Sequence, residues 1–294
     1  MFSFSIAGLR VDLQLPFESD IRAFMPSFAP FLHTFPAGSE AMLTLNVLRS
    51  PFSLDLSGLK PSVSSENDIG NALLYELPEG HVIAIRNIST PEVYHLLLSP
   101  GFKTATAWIP GWDDPAAGIM IDSMLRIAFS QAAVACRTLL VHASAIVHSG
   151  EACLFMGRSG TGKSTHSANW LRTIPDTFLL NDDNPALRLM PDGTVMAYGT
   201  PWSGKTPCYK PIGAPVRALA RIVRDSSNSV ESLSEIDAFV AVLPGVSLIR
   251  CAADLHDDMC SLLQQIVATT RVCNVRCRPD PASAAVACAA LYEA

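Results

Sequence analysis

The chain of 294 residues is long enough for two domains or one large one. Apolar residues make up 49% of it and charged residues 16%, which excludes intrinsic disorder and calls for a large buried core. A formal net charge of −6 argues against nucleic acid as a partner, because proteins that bind it carry a basic field.

The eight cysteines show no paired metal-ligand spacing, and the nearest pair is Cys273 and Cys277. Cys136, Cys153 and Cys288 lie in apolar runs, so they read as small core residues of a reduced, cytoplasmic protein. Met1–Ile6 lacks the basic start and cleavage site of a secretory signal. The longest apolar stretch, Gly118–Val147, is interrupted by Asp122, Arg126, Gln131, Arg137 and His142, so the expectation is a soluble chain with no membrane partner.

Residues 1–112 read as a β-rich domain. Phe2–Ile6 and Leu9–Leu15 alternate apolar with polar, as half-buried strands do. Pro16, Pro26, Pro30 and Pro36 punctuate a loop-rich stretch. Further strands are expected at Ala41–Leu48, Ala72–Leu77, His81–Arg86, His95–Leu98 and Thr104–Ile109, with a turn at Pro78–Gly80. His33, His81 and His95 are isolated and read as strand or surface residues. The turn-rich run Ile109–Pro115 marks a domain boundary.

Residues 113–294 alternate helices and strands. Asp113 or Asp114 is a candidate cap for a mostly buried helix over Ile119–Cys136, whose apolar set includes Ile119, Met124, Leu125 and Phe129. Strands follow at Thr138–His142, Ala145–Val147 and Ala152–Met156, then a glycine-rich loop and a helix from Gly162 to about Arg172. Phe178–Leu180 is a short buried strand, and Pro185–Met190 pairs with Thr194–Tyr198 around Pro191–Gly193. The remainder reads as a strand (Val216–Val223), helices (Leu233–Val242 and Leu255–Thr269), a strand (Val272–Arg276) and a closing helix (Pro281–Tyr292).

The chemistry concentrates in Gly157, Arg158, Ser159, Gly160, Thr161, Gly162, Lys163, Ser164 and Thr165. This run fits G-x-x-x-x-G-K-[ST] without gaps, between a strand and a helix. The glycines let backbone N–H groups converge on an anion, and the helix adds its unpaired donors and the positive end of its dipole. Lys163 is the expected ligand of the β/γ phosphates and the Ser164 hydroxyl an expected Mg²⁺ ligand. Asp182 and Asp183, at the end of the next strand, fit a division of labour in which one holds the metal and the other takes a proton. His142 is placed to tune one of these acids if its strand is a neighbour. Lys205, in a glycine-bearing loop, is a candidate to close over the γ-phosphate. His166 reads as packing or surface, and Trp170 and Trp202 read as core before they read as adenine-stacking groups.

The phosphate loop followed by Leu179–Asp183 resembles the kinase core shared by HPr kinase/phosphorylase and phosphoenolpyruvate carboxykinase, and Leu140–Ile146 is similar to the histidine-bearing strand of HPr kinases. The resemblance covers residues 138–205. It implies an α/β fold of mixed α+β character: a P-loop kinase core at 113–294 behind the β-rich domain at 1–112. It further implies that Lys163 and Ser164 bind phosphates and Mg²⁺, and that Asp182 and Asp183 share the metal and general-base roles beside His142. Thr165 stands where HPr kinases usually carry glutamate, and Pro201–Lys205 occupies the place of their arginine-bearing signature, so a divergent acceptor is expected.

The function expected is therefore a Mg²⁺-ATP-dependent kinase acting on a hydroxyl, foremost a serine of a small protein or peptide, with ATP and Mg²⁺ as cofactors and a homo-oligomer compatible with the chain. A free small-molecule hydroxyl is a branch of the same reading. The rival from another class is an ATP-binding regulatory or degenerate module without turnover.

Overall fold

The computed structural model describes residues 1–67, 70–87, 92–110, 116–204, 206–250 and 252–293. It shows a mixed α/β protein with two sheets, divided into one compact unit of 1–133 with 249–253 and a second of 134–248 with 254–294.

In the first unit the strands are β1 (Phe2–Ile6), β2 (Leu9–Gln14), β3 (Leu43–Leu48), β4 (Val63–Asn67), β5 (Gly70–Leu77), β6 (Gly80–Asn87), β7 (Val93–Leu98) and β8 (Thr104–Trp108). Among the described residues they form one sheet in the order β1-β2-β3-β8-β7-β6-β5-β4. Alternation does its work in β3, where Leu43, Leu45 and Val47 are buried and the residues between them are half-buried. The proline-punctuated stretch is not wholly loop. Asp20 caps a single-turn helix, α1 (Ile21–Phe24), and a 3₁₀ segment at Pro26–Phe31 brings Phe28 within 5.1 Å of Phe4, edge to face. β4 was not expected, because Val63–Asn67 is nearly all polar; it pairs on one side only, as the outer strand. His95 stacks on Phe52 at 3.8 Å and His81 lies 5.5 Å from Phe102, so both pack against aromatic neighbours.

The helix α2 (Ala116–Ala132) packs on β3, β7 and β8, and thus belongs with the first unit although it follows the turn-rich run. Met120, Ile121, Met124, Leu125, Ala128 and Phe129 face inward; Ile119, expected in the buried set, is 65% exposed because the helical turn carries it to the opposite side. Ala117–Cys136 is long and apolar enough to cross a membrane, yet 67% of its apolar window is buried within the protein, which accounts for its composition. Of the expected boundary run Ile109–Pro115, residues 111–115 lie outside the described residues, and with them the expected cap at Asp113 or Asp114.

The second unit is built on β9 (Thr138–Leu140), β10 (Ala143–His148), β11 (Glu151–Met156), β12 (Thr177–Asp183), β13 (Ala186–Leu189), β14 (Val195–Tyr198), β15 (Gly213–Arg224), β16 (Ser229–Ser232) and β17 (Val272–Cys277). The order β12-β10-β11-β15 forms its core, and β15 then forks. The first residues of β15 pair with β14, which leads on to β13 and β9, while its later residues run parallel to β17, with β16 beyond. The expected strand Thr138–His142 is thus shorter: β9 ends at Leu140 and pairs with β13, and His142 lies in the bend before β10.

The helices are α3 (Lys163–Thr173), α4 (Glu235–Val242), α5 (Ala253–Thr269, whose first residue belongs to the first unit) and α6 (Ala282–Tyr292). α3 lies over β10, β11 and β12 and against α6. Its anchor is Trp170, fully buried among Phe155, Ile146, Cys153 and the inner face of α6. Burial of such a side chain is worth about 3–5 kcal/mol against alanine. The indole N–H donates to His166 Nε2 at 3.0 Å, which makes Nε2 an acceptor and leaves the ring proton on Nδ1, 3.3 Å from Ser283 Oγ.

Two predictions follow from packing. Gly80 sits at φ +130°, and a Cβ there would collide with the Leu98 carbonyl oxygen. Gly80→Ala should destabilise the first unit by about 2–4 kcal/mol, read as a lower urea midpoint. Burial also pushes the His166 imidazole down from 6.5 to about 4. The unfolded chain therefore takes up a proton near pH 6.5 that the folded one refuses until about pH 4. The stability is complete above that window and falls as the pH drops through it, by up to about 3 kcal/mol. His166→Gln should flatten this loss relative to the parent in urea titrations between pH 7 and 4; equal slopes would refute the assignment.

Candidate functional site

The site arises from strand direction. β10 runs antiparallel between β11 and β12, so its first residues lie beside the last residues of both. Ala143 is paired with Met156 on one side and with Asp183 on the other, and Ser144 is paired with Asp182. The end of β11, the end of β12 and the bend carrying His142 therefore meet at one edge of the sheet.

From Met156 the chain enters the glycine loop. Gly157, Gly160 and Gly162 have φ of +147°, +77° and +110°, which L side chains rarely adopt, and a Cβ on Gly157 would come within 2.7 Å of the Thr161 hydroxyl. The turn is closed by Thr161, whose N–H and hydroxyl both donate to the Arg158 carbonyl at 3.1 and 2.8 Å. It is braced from outside by Arg224, the last residue of β15, whose guanidinium donates to the Gly160 carbonyl and, at 3.5 Å, to that of Thr161. Gly162 caps α3 without a side chain, so the first N–H groups of the helix have no side-chain acceptor from the cap. Arg158, Ser159, Gly160, Ser164 and Thr165 are exposed, and Thr161 and Gly162 half-buried.

Lys163 turns inward and is buried. Its ammonium donates to the Gly157 carbonyl at 2.9 Å and to His142 Nε2 at 3.0 Å. Burial pushes the Lys163 pKa below the usual lysine value, opposed by the nearby charges of Asp183 and Asp182. Because Nε2 of His142 accepts, its proton sits on Nδ1, which donates to Asp183 Oδ1 at 3.0 Å. Lysine, histidine and aspartate thus form one hydrogen-bonded chain. The backbone N–H of His142 donates to the Gly245 carbonyl at 2.7 Å, which holds the bend.

The two acids occupy different surroundings, as neighbours on a strand must. Asp182 is 6% exposed, and its Oδ1 accepts from Ser144 at 2.7 Å, which in turn accepts from Ser167 of α3 at 2.7 Å. The Asp183 side chain is 35% exposed, and its second oxygen accepts from Asn184 at 2.6 Å. Asn181 fixes the strand end. Its Oδ1 takes the N–H groups of Asp183 and Asn184, and its amide donates to the Thr200 carbonyl and hydroxyl, both at 3.2 Å. The segment after Thr200 passes close by: a Cβ on Gly204 would lie 2.9 Å from the Asp182 carbonyl and 3.3 Å from Asp183 Cβ.

The structure therefore brings Lys163, His142, Asp182 and Asp183 to one edge of the sheet, with Ser164 and Thr165 on the first turn of α3. Lys205 lies outside the described residues. Trp170 and Trp202 are 0% and 4% exposed, so neither stacks on a ligand. Sequence reasoning missed Ser144, Ser167, Asn181, Thr200 and Arg224, which act through pairings between distant strands and carry no local motif. Among the described residues no group of three or more His, Cys, Asp or Glu could hold a metal ion. A metal here would draw most of its ligands from substrate and water, which fits Mg²⁺, held at phosphate sites by one or two carboxylates and a hydroxyl.

No protein-family model and no curated protein matches the chain. Among solved structures it is similar to the Hpr(Ser) kinase/phosphatase from Coxiella burnetii at 14% identity, over 44% of this chain and 88% of that one, with a TM-score of 0.25. A likeness that slight carries no argument.

Proposed function

We propose that the second unit is a P-loop kinase core that binds Mg²⁺-ATP at the 157–165 loop and transfers the γ-phosphoryl group to a hydroxyl, foremost a serine of a small protein or peptide. The observation that supports this reading is the hydrogen-bonded chain from Lys163 through His142 to Asp183, which joins a cation at the start of α3 to a carboxylate at the end of β12. A nucleotide-binding fold with no chemistry to perform has no need of that chain.

The loop N–H groups and the start of α3 receive the phosphates, and Lys163 neutralises charge at their transferring end. Asp183 is the more open acid and accepts the proton from the attacking hydroxyl as its oxygen bonds to phosphorus and the bond to ADP breaks. His142 holds the Asp183 carboxylate in place through Nδ1–H. Asp182, buried and steadied by Ser144, would hold Mg²⁺ together with Ser164. Bound there, Mg²⁺ supplies charge neutralisation on the phosphate oxygens. With free cysteines and net negative charge, the chain fits a reducing, cytoplasmic setting and an acceptor other than nucleic acid.

The test is transfer from γ-labelled ATP to small proteins and peptides encoded beside the gene. Lys163→Ala should cut turnover roughly 10²–10³-fold, the loss expected when a transition-state donor is removed; unchanged turnover would sink the loop assignment. Asp183→Asn and Asp182→Asn should separate. The first is expected to abolish transfer with ATP binding intact, and the second to raise the Mg²⁺ concentration needed for half-maximal rate. If Asp183→Asn still labels the acceptor at the parent rate, the base lies elsewhere. ATP binding with neither transfer nor hydrolysis would favour the regulatory module instead.

A further inference from the structure

A cavity of about 320 Å³ opens on the side of the phosphate loop away from the acids, within the size range of small-molecule sites. It is walled by Gly160–Gly162 and the first turns of α3, and it lies toward the C-terminal ends of β15 and β17. The sheet order gives it a meaning. With β11 in the middle, the acids and His142 lie on the β10–β12 side and this cavity on the β15–β17 side. A nucleotide whose terminal phosphate points at Asp183 has its nucleoside end on the other side of the loop.

We infer that this cavity is the nucleoside subsite and that it reads the base by stacking and shape, so that it distinguishes poorly between adenine and guanine. The inference rests on the phosphate-loop reading above. Buried Ile222 and Cys277, with Pro279, line it as apolar surface, and two guanidinium groups stand at it. Both are pinned by the protein's own groups. Arg224 donates to the loop carbonyls, and Arg278 donates to Asp280 Oδ2 through Nε at 2.7 Å and Nη2 at 2.6 Å. Fixed guanidinium planes are stacking partners for flat heteroaromatic rings.

Apart from Thr165, beside Ser164 on the first turn of α3, the other polar side chains of the cavity are engaged. His166 is held between Trp170 and Ser283, Asn169 between Asp280 and Arg172, and Asp225 by the N–H groups of Ser226 and Ser227 and by Arg276. A site whose side-chain donors and acceptors are, Thr165 apart, satisfied internally has little with which to read the hydrogen-bonding edge of a base. Strong discrimination comes from sites that leave such groups waiting for the ligand.

Calorimetry on the full chain with Mg²⁺ tests this, using ATP, GTP and inorganic tripolyphosphate as three ligands. The parent should bind ATP and GTP within about fivefold of each other, and both at least tenfold more tightly than tripolyphosphate. Arg278→Ala should lose about tenfold for the nucleotides and leave tripolyphosphate unchanged. A preference above thirtyfold for one purine overturns the stacking mode, and an Arg278→Ala that weakens all three ligands equally, or none, overturns the subsite. Because Arg278 also pairs with Asp280, photolabelling of the parent with 8-azido-ATP provides a check free of folding effects. Label on 222–225 or 277–279 supports the assignment, and label confined to other peptides overturns it. If neither nucleotides nor tripolyphosphate bind the parent, the phosphate-loop reading fails first, a result distinct from phosphate binding with an empty cavity.

Discussion

The site depends on the antiparallel insertion of β10 between β11 and β12. Those two strands point the same way and α3 connects them, so without an intervening strand their ends would stand side by side with no third chain start between them. The insertion places the residue before β10 against both ends at once. His142 can then reach Lys163 on one flank and Asp183 on the other, because one residue further on, Ala143 is paired with Met156 and Asp183 together. A slip of one residue in either pairing would send each side chain to the opposite face, and the buried runs of β10 and β11 oppose that slip.

Strand pleat then divides the acids. Asp182 goes to the side where Ser144 and Ser167 wait, and its buried carboxylate accepts from the Ser144 hydroxyl. Asp183 goes toward His142 and keeps a third of its side-chain surface open. The proposed base is thus the accessible acid, and the proposed Mg²⁺ ligand the one held by a fixed donor. The two environments follow from adjacency on a strand and need no separate device.

Much of this was legible in the chain. The loop residues announce themselves because each glycine position has a backbone reason, and the acid pair follows at the end of the next apolar run. Helix and strand existence across the second unit was legible from periodicity for the same reason: buried faces demand it. What was not legible depends on partners far away in sequence. The break after Leu140 follows from β9 pairing with β13, and the polar strand β16 exists because β17 offers it an edge. Ile119 looked like part of an apolar face until the phase of α2 was set by its packing on β3, β7 and β8. Ser144 and Arg224 are ordinary strand residues until their neighbours are known.

The loop is also held before any ligand arrives, which bears on how its geometry can be afforded. Three glycines at positive φ carry an entropic cost on ordering, since glycine has the most freedom to lose. The chain offsets that cost with its own contacts at each corner. Thr161 closes the turn onto the Arg158 carbonyl, Arg224 ties the Gly160 and Thr161 carbonyls to the end of β15, and Lys163 returns to the Gly157 carbonyl. All of these bonds end on carbonyl oxygens; Thr161 also spends its own N–H on the Arg158 carbonyl, and none of these contacts takes a loop N–H to a side-chain acceptor. Ordering thus rests mainly on the loop carbonyls, which suits the proposed binding of a phosphate by the remaining N–H groups.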